Sequence, residues 1–255
     1  MTLLGEWRAF LAALQFLSRI PIPNGTTGAT WREDLSRAPR HFALAGGLIG
    51  LATGTVYALA AQVWPPPLAA AMALAFEALL TGAFHEDAFA DYCDAMGGGR
   101  TREDTLLILK DSRIGSYGAL GLLLGVLARW AALASLDTAA GLAACAGAGA
   151  LARLAIVCAM ASAAPAQNRD SLAKDIGARP GRASLIVAAL GAVPFFAGLI
   201  LAHGWSAIAG ALAQALAAVV LTRQMSRRLG GVVGDGLGSI AFTGQVAVLA
   251  ACAAR

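Results

Sequence analysis

His85-Glu86-Asp87-Ala88-Phe89-Ala90-Asp91-Tyr92-Cys93-Asp94 holds the densest group of acids in the chain. Asp87, Asp91 and Asp94 are spaced i, i+4, i+7, which places them within roughly 60° of one helix face. Three aligned carboxylates repel one another, and a hard divalent cation removes that cost. Mg²⁺ takes oxygen ligands, commonly a few carboxylates together with substrate phosphate oxygens. A solvated acidic face would show the same spacing, but the residues between these acids are apolar. An acid at a bilayer edge is also costly without a partner. Asp87, Asp91 and Asp94 are therefore read as metal ligands. They stand with His85 and Glu86 as the catalytic cluster, in which an acid or His85 would accept a proton.

Gly97-Gly98-Gly99-Arg100 then ends the helix and turns the chain. Lys110-Asp111-Ser112-Arg113-Ile114-Gly115-Ser116-Tyr117-Gly118 follows. Lys110 and Arg113 are suited to phosphate oxygens, and Gly115 and Gly118 allow close backbone approach. A juxtamembrane Arg that only snorkels would look the same in isolation. Beside three aligned acids, the segment suggests a metal–phosphate site of the kind that phosphoryl transfer uses. Arg153 lies inside an apolar run, where it reads equally as a site residue or as half of a structural ion pair. Glu77 and Arg129, nearer the ends of their runs, read as structural. Asp235 sits in the glycine-rich Gly230–Gly238, as a turn acid or as a further metal or substrate contact.

The elements that must position these groups are membrane helices. Apolar residues make up 58% of the 255, charged residues 13%, and mean hydropathy is +0.68. A soluble domain carries about 25% charged residues. A spanning helix needs about 20 mainly apolar residues. Runs of that order are expected over 42–63, 68–84, 118–136, 141–162, 183–202, 206–222 and 236–254. The fold class is therefore all-α: a polytopic membrane bundle of about seven spans forming one domain, 1–255. Trp7, Phe10, Leu11, Leu14 and Leu17 recur at helical spacing and predict an amino-terminal amphipathic helix at the interface. Glycine and alanine crowd several runs, as suits close helix contact in lipid.

Fifteen of the nineteen basic residues fall in segments 18–41, 84–117, 165–182 and 223–235, and the short turns between the other run ends hold none. The positive-inside rule puts these four segments in the cytoplasm, so the catalytic loops near 84–117, 165–182 and 223–235 face that side. The expected location is a bacterial inner membrane. A net charge of +4 gives no general affinity for nucleic acid. Cys93, Cys145, Cys158 and Cys252 form no paired motif and read as buried thiols. A homo-oligomer is compatible with this pattern.

Four segments resemble the cobalamin synthase family. Phe16-Leu17-Ser18-Arg19-Ile20-Pro21 is similar to its amino-terminal signature, and Gly82–Asp94 to its His-x-Asp acidic run. Lys110–Gly118 resembles its Lys-Asp-Ser-Arg-Ile-Gly run, and Gly230–Gly238 its Gly-Asp turn. Ala88 and Ala95 depart from it where glycine is usual. The resemblance implies transfer of the cobinamide-phosphate part of adenosylcobinamide-GDP to α-ribazole or its 5′-phosphate, with release of GMP and with Mg²⁺ as cofactor. It implies substrate contacts at Arg19, Lys110, Asp111, Ser112, Arg113, Arg153 and Asp235. A transporter or channel is the rival class. It would explain intramembrane charge, but it predicts inverted repeats that the sequence does not show. A lipid-directed CDP-alcohol phosphotransferase would need Asp-Gly-x-x-Ala-Arg, which Asp94–Gly99 does not supply.

A planar fork and a point charge grip a phosphate differently. Arg113→Lys is therefore expected to impair use of the nucleotide substrate in steady-state kinetics, and unchanged kcat and KM would remove the phosphate role.

Overall fold

The computed structural model describes residues 3–22, 29–166 and 179–254. Expectations that fall on 167–178, most of the third basic segment, lie outside the described residues. The described chain is helical almost throughout. α1 (Leu3–Leu17) and α2 (Ala29–Arg37) lead through a 3-10 turn at Ala38–His41 into α3 (Phe42–Ala60). α4 (Pro66–Thr81), α5 (Phe84–Gly98) and the short α6 (Arg102–Ile108) follow. α7 (Ser116–Ala134), α8 (Thr138–Ser162), α9 (Arg182–His203), α10 (Trp205–Leu229) and α11 (Gly234–Ala253) complete the bundle.

Six helical stretches among the described residues are long and apolar enough to cross a membrane. The first runs 31–60 through the 3-10 turn, and the others are α7 to α11. The expected span at 68–84 takes a different form. α4 is 16 residues long and turns by 88° into α5. At about 1.5 Å per residue α4 alone reaches only about 24 Å, short of a full hydrocarbon core. The pair counts as a seventh span only if it is taken as one broken element. The turn is made by Gly82 (φ 71°) and Ala83 (φ 55°), the latter a left-handed conformation that costs energy in a residue with a Cβ. The amino-terminal signature holds this corner. The Arg19 amide donates to the Leu80 carbonyl at 2.7 Å, and the Phe16 ring meets Phe84 edge-on at 5.4 Å. A Cβ on Gly82 would lie 2.2 Å from the Arg19 side chain, so the glycine makes room for it.

Of the stripe that the spacing singles out on α1, only Leu17 is buried; Phe10, Leu11 and Leu14 are half-buried. Ala9, Ala12, Ala13 and Leu17 are buried against the bundle, while Leu3, Leu4 and Trp7 are exposed. α8 is the central post, with Ala144, Ala148, Ala152 and Val157 buried along it. Its closest approach is to α3, through glycine. A Cβ on Gly149 would lie 2.3 Å from the Gly46 carbonyl oxygen, and one on Gly50 would lie 2.2 Å from that of Cys145. Lipid supplies no hydrophobic drive between spans, so this contact rests on backbone proximity and dispersion.

A leucine at that contact has only backbone to push against. Gly50→Leu is expected to cost about 1–3 kcal/mol through overpacking and to lower the melting temperature in detergent. An unchanged melting temperature would mean that α3 and α8 separate freely.

Candidate active site

The acids of α5 run from exposed to buried. Asp87 is exposed, Asp91 half-buried, and Asp94 buried. Asp94 does not stand open to form a three-carboxylate cage. Its Oδ2 accepts the Gly115 amide at 2.7 Å and its Oδ1 accepts the Gly118 amide at 2.8 Å. These are donors at the start of α7, which has no side-chain cap of its own. A helix start leaves amides without partners and favours negative charge, so Asp94 caps α7 from another helix. The spacing of Gly115 and Gly118 now has a physical cause. A Cβ at either position would come within 2.4 Å of an Asp94 carboxylate oxygen. Among the described residues, no three acid, histidine or cysteine side chains are arranged to hold a metal ion.

With Asp94 taken by amides, Asp87 and Asp91 are the acids of the stripe that could hold a hard cation. Mg²⁺ keeps several waters and is commonly held by one or two carboxylates plus substrate phosphates. Asp87 and Asp91, one turn apart on the exposed and half-buried part of α5, fit that donor set better than a closed cage would.

His85 and Glu86 face elsewhere. His85 is 2% exposed, with Nδ1 3.4 Å from an Arg153 amino group, so it lies in the bundle interior and cannot reach a substrate hydroxyl in the loops. Glu86 accepts from Arg129 Nη1 at 2.8 Å, and Arg129 also pairs with Glu77. Gln245 of α11 donates to the other oxygen of Glu77 at 2.8 Å. Arg129 lies over the Phe242 ring, which stacks on Phe89 of α5. Arg153 is fully buried, and among the described residues it has no ion-pair partner within salt-bridge distance. Two arginines and two glutamates thus form a charge-balanced interior cluster joining α4, α5, α7, α8 and α11. Gln245 and the role of Glu86 escaped the sequence reading, because nothing in local spacing links residues this far apart.

The second motif lies beside the acidic helix with its cations outward. Lys110, Ser112 and Arg113 are exposed. Arg113 pairs with Asp111 through Nη2 at 2.7 Å. The hydrogen bonds from Arg113 hold the Asp111 carboxyl at a pKa of about 2, below its ordinary range. The pairing is therefore complete above pH of about 4 and is lost only as pH falls through about 2. Arg19 sits at the α4–α5 corner, close to where the acids begin.

The third motif also packs on α5. Asp235 lies in the first turn of α11, and its carbonyl accepts the Ser239 hydroxyl, which also reaches the Ala88 carbonyl at 3.2 Å. A Cβ on Gly238 would lie 2.4 Å from that of Ala88, so the missing side chain on α11 accommodates the alanine on α5. Arg228 donates to the carbonyls of Met96 and Gly99, Arg102 donates to the Leu229 carbonyl at 3.1 Å, and Tyr92 donates to Gln224 at 3.2 Å. Arg228, Arg102 and Gln224 carry no signal in the sequence beyond their place in a basic segment. Segments 84–118 and 223–239 therefore meet at one end of the bundle.

A membrane helix bundle with an acidic helix laid across it, and with phosphate-suited cations beside that helix, defines a class: polytopic membrane transferases of phosphoryl-linked substrates. A sequence profile of cobalamin-5-phosphate synthases matches residues 9–253. The chain is similar to the adenosylcobinamide-GDP ribazoletransferase of Bradyrhizobium diazoefficiens, 39% identical over 246 residues, covering 95% of this chain and 92% of that protein. It is likewise similar to those of Ralstonia nicotianae, 40% identical over 91% and 89%, and Rhizobium etli, 40% identical over 94% of each. No solved structure matches. The chain belongs to the cobalamin-5-phosphate synthase family, which sets aside the transporter reading.

Removing one partner from a buried pair strands the other charge. Arg129→Leu is expected to destabilise the protein by about 3–5 kcal/mol, and Arg129→Leu with Glu77→Leu to recover much of that loss in chemical or thermal unfolding. A single variant as stable as the wild type would show that the cluster carries no net strength.

Proposed function

We propose that the polar end of the bundle opens the pyrophosphate of adenosylcobinamide-GDP and passes the cobinamide phosphate to ribazole, with Mg²⁺ held by Asp87 and Asp91. As a member of the cobalamin-5-phosphate synthase family the protein is a transferase joining these two substrates. One observation supports the site assignment most. Asp94 binds Gly115 and Gly118, and this holds the Lys110–Arg113 segment beside the helix that carries Asp87 and Asp91.

The reaction asks little covalent chemistry of the protein. Positioning and charge neutralisation are the main demands of phosphoryl transfer. The ribazole hydroxyl, free or 5′-phosphorylated, attacks the phosphorus attached to cobinamide. A new P–O bond forms, the anhydride P–O bond breaks, and GMP leaves with the bridging oxygen. The hydroxyl proton passes to a carboxylate of the Asp87–Asp91 pair, since His85 is walled off inside the bundle. Lys110 and Arg113 hold phosphate oxygens, Arg113 in exchange for Asp111. When bound, Mg²⁺ neutralises the pyrophosphate and its leaving oxygen. The basic loops support a multi-pass placement in a bacterial inner membrane with this end in the cytoplasm.

Asp91→Asn removes a ligand charge while keeping shape and hydrogen-bonding size. It is expected to lower Mg²⁺-dependent GMP release by about a hundredfold or more, with elution and melting temperature unchanged. Turnover at the wild-type rate, or wild-type turnover that survives complete chelation of divalent cations, would overturn the metal assignment.

A further inference from the structure

A cavity of about 670 Å³ lies between the carboxyl-terminal half of α8 and the length of α10 from Ala211 to Arg227. Its walls are small and apolar, including Ala155, Ala159, Ala215 and Val219. It opens sideways along two spanning helices, where Cys158, Ala215 and Val219 are exposed. Gln214 turns its amide against Gly244 of α11, so the polar group packs on the neighbouring helix. At the end of the cavity stand Arg223, Arg227, Ser226 and Ser162.

The two arginines are the unusual feature. Arg228, their neighbour, is spent on the carbonyls of Met96 and Gly99. Arg223 and Arg227 have no ion-pair partner among the described residues, and both are exposed. They lie one turn apart on the same helix face, so their guanidinium groups can converge on one anion. From Ala211 to Arg223 the groove follows α10 for twelve residues, about 18 Å. One leaflet of hydrocarbon is about 15 Å deep. An apolar slot of leaflet length, open to the bilayer and closed by two cations at headgroup level, is complementary to an anionic amphiphile.

We propose that this groove is a binding site for an anionic phospholipid, with one acyl chain between α8 and α10 and the phosphate held by Arg223 and Arg227. A soluble nucleotide has no use for the length of the apolar slot. A zwitterionic lipid matches the slot but brings an ammonium group to the two arginines. The site is lined by α8, α10 and the residue after α8, and does not rest on the assignment of catalytic roles.

The test uses the full-length protein in detergent, with dioleoylphosphatidylglycerol and dioleoylphosphatidylcholine as probes, read by native mass spectrometry and by the shift in melting temperature. Phosphatidylglycerol is expected to stay bound and raise the melting temperature, with at least tenfold preference over phosphatidylcholine. R223Q with R227Q should abolish the preference, and the matching pair of lysine substitutions should restore most of it. Ala215→Phe, which fills the slot and leaves both arginines, should also lose the bound lipid. Equal binding of the two lipids to the wild type would overturn the proposal, as would full retention of phosphatidylglycerol by the double glutamine variant. Displacement of the lipid by millimolar inorganic phosphate would show that the slot contributes nothing. Displacement by α-ribazole 5′-phosphate would assign the groove to substrate instead. Either result would sink the lipid site.

Discussion

The Asp94 carboxylate, seated on the amides of Gly115 and Gly118, is the contact on which the polar end of this protein depends. It meets three needs together. It satisfies amides that α7 leaves without partners, it places a negative charge at the positive end of that helix, and it fixes two distant segments against each other. A charged acceptor makes each of these bonds stronger than a neutral one would be. Both glycines are required by the approach distance, since any side chain would occupy the space that the carboxylate fills. The cations of Lys110–Arg113 are therefore presented beside α5 by a backbone contact, independently of the ion they would help to neutralise.

Beneath this surface lies a second, largely buried polar layer. Glu77, Arg129, Glu86, Arg153, His85 and Gln245 lie where a lone charge would be expensive. Their balance of two cations and two anions makes the arrangement tolerable, and each pair joins different helices. Such a cluster is weak evidence of stability, because apolar replacement often does as well. Its evident effect is on orientation. Glu86 and His85 are drawn inward, so Asp87, the next residue along α5, faces out. The same helix thus divides its polar residues between the interior cluster and its outer face.

Much of this was legible in the sequence, and the reasons differ by feature. Run length and charge sparsity gave the spans, because the bilayer imposes one thickness on every crossing helix. The i, i+4, i+7 spacing put the acids on one stripe, because helical periodicity is local. The 88° turn at Gly82–Ala83 was not legible. Ala83 is no turn signal, and its left-handed backbone is held by Arg19 and Phe16 from far up the chain. Nor could spacing tell that Asp94 would be taken by amides more than twenty residues away, or that His85 would point inward. Each of those outcomes was decided by which neighbour arrived, and sequence distance does not encode that.

The right-angled corner between α4 and α5 has a geometric consequence for the acids. Asp87 and Asp94 are seven residues apart, about 10 Å along the helix axis. Had α5 continued straight from α4, that separation would have been spent along the direction of α4, stepping each carboxylate through a different layer of the membrane. Turned by 88°, the same residues differ hardly at all in that direction. The outer part of the stripe becomes a shelf, with Asp87 and Asp91 at one level along that direction, reached from the side and not end-on.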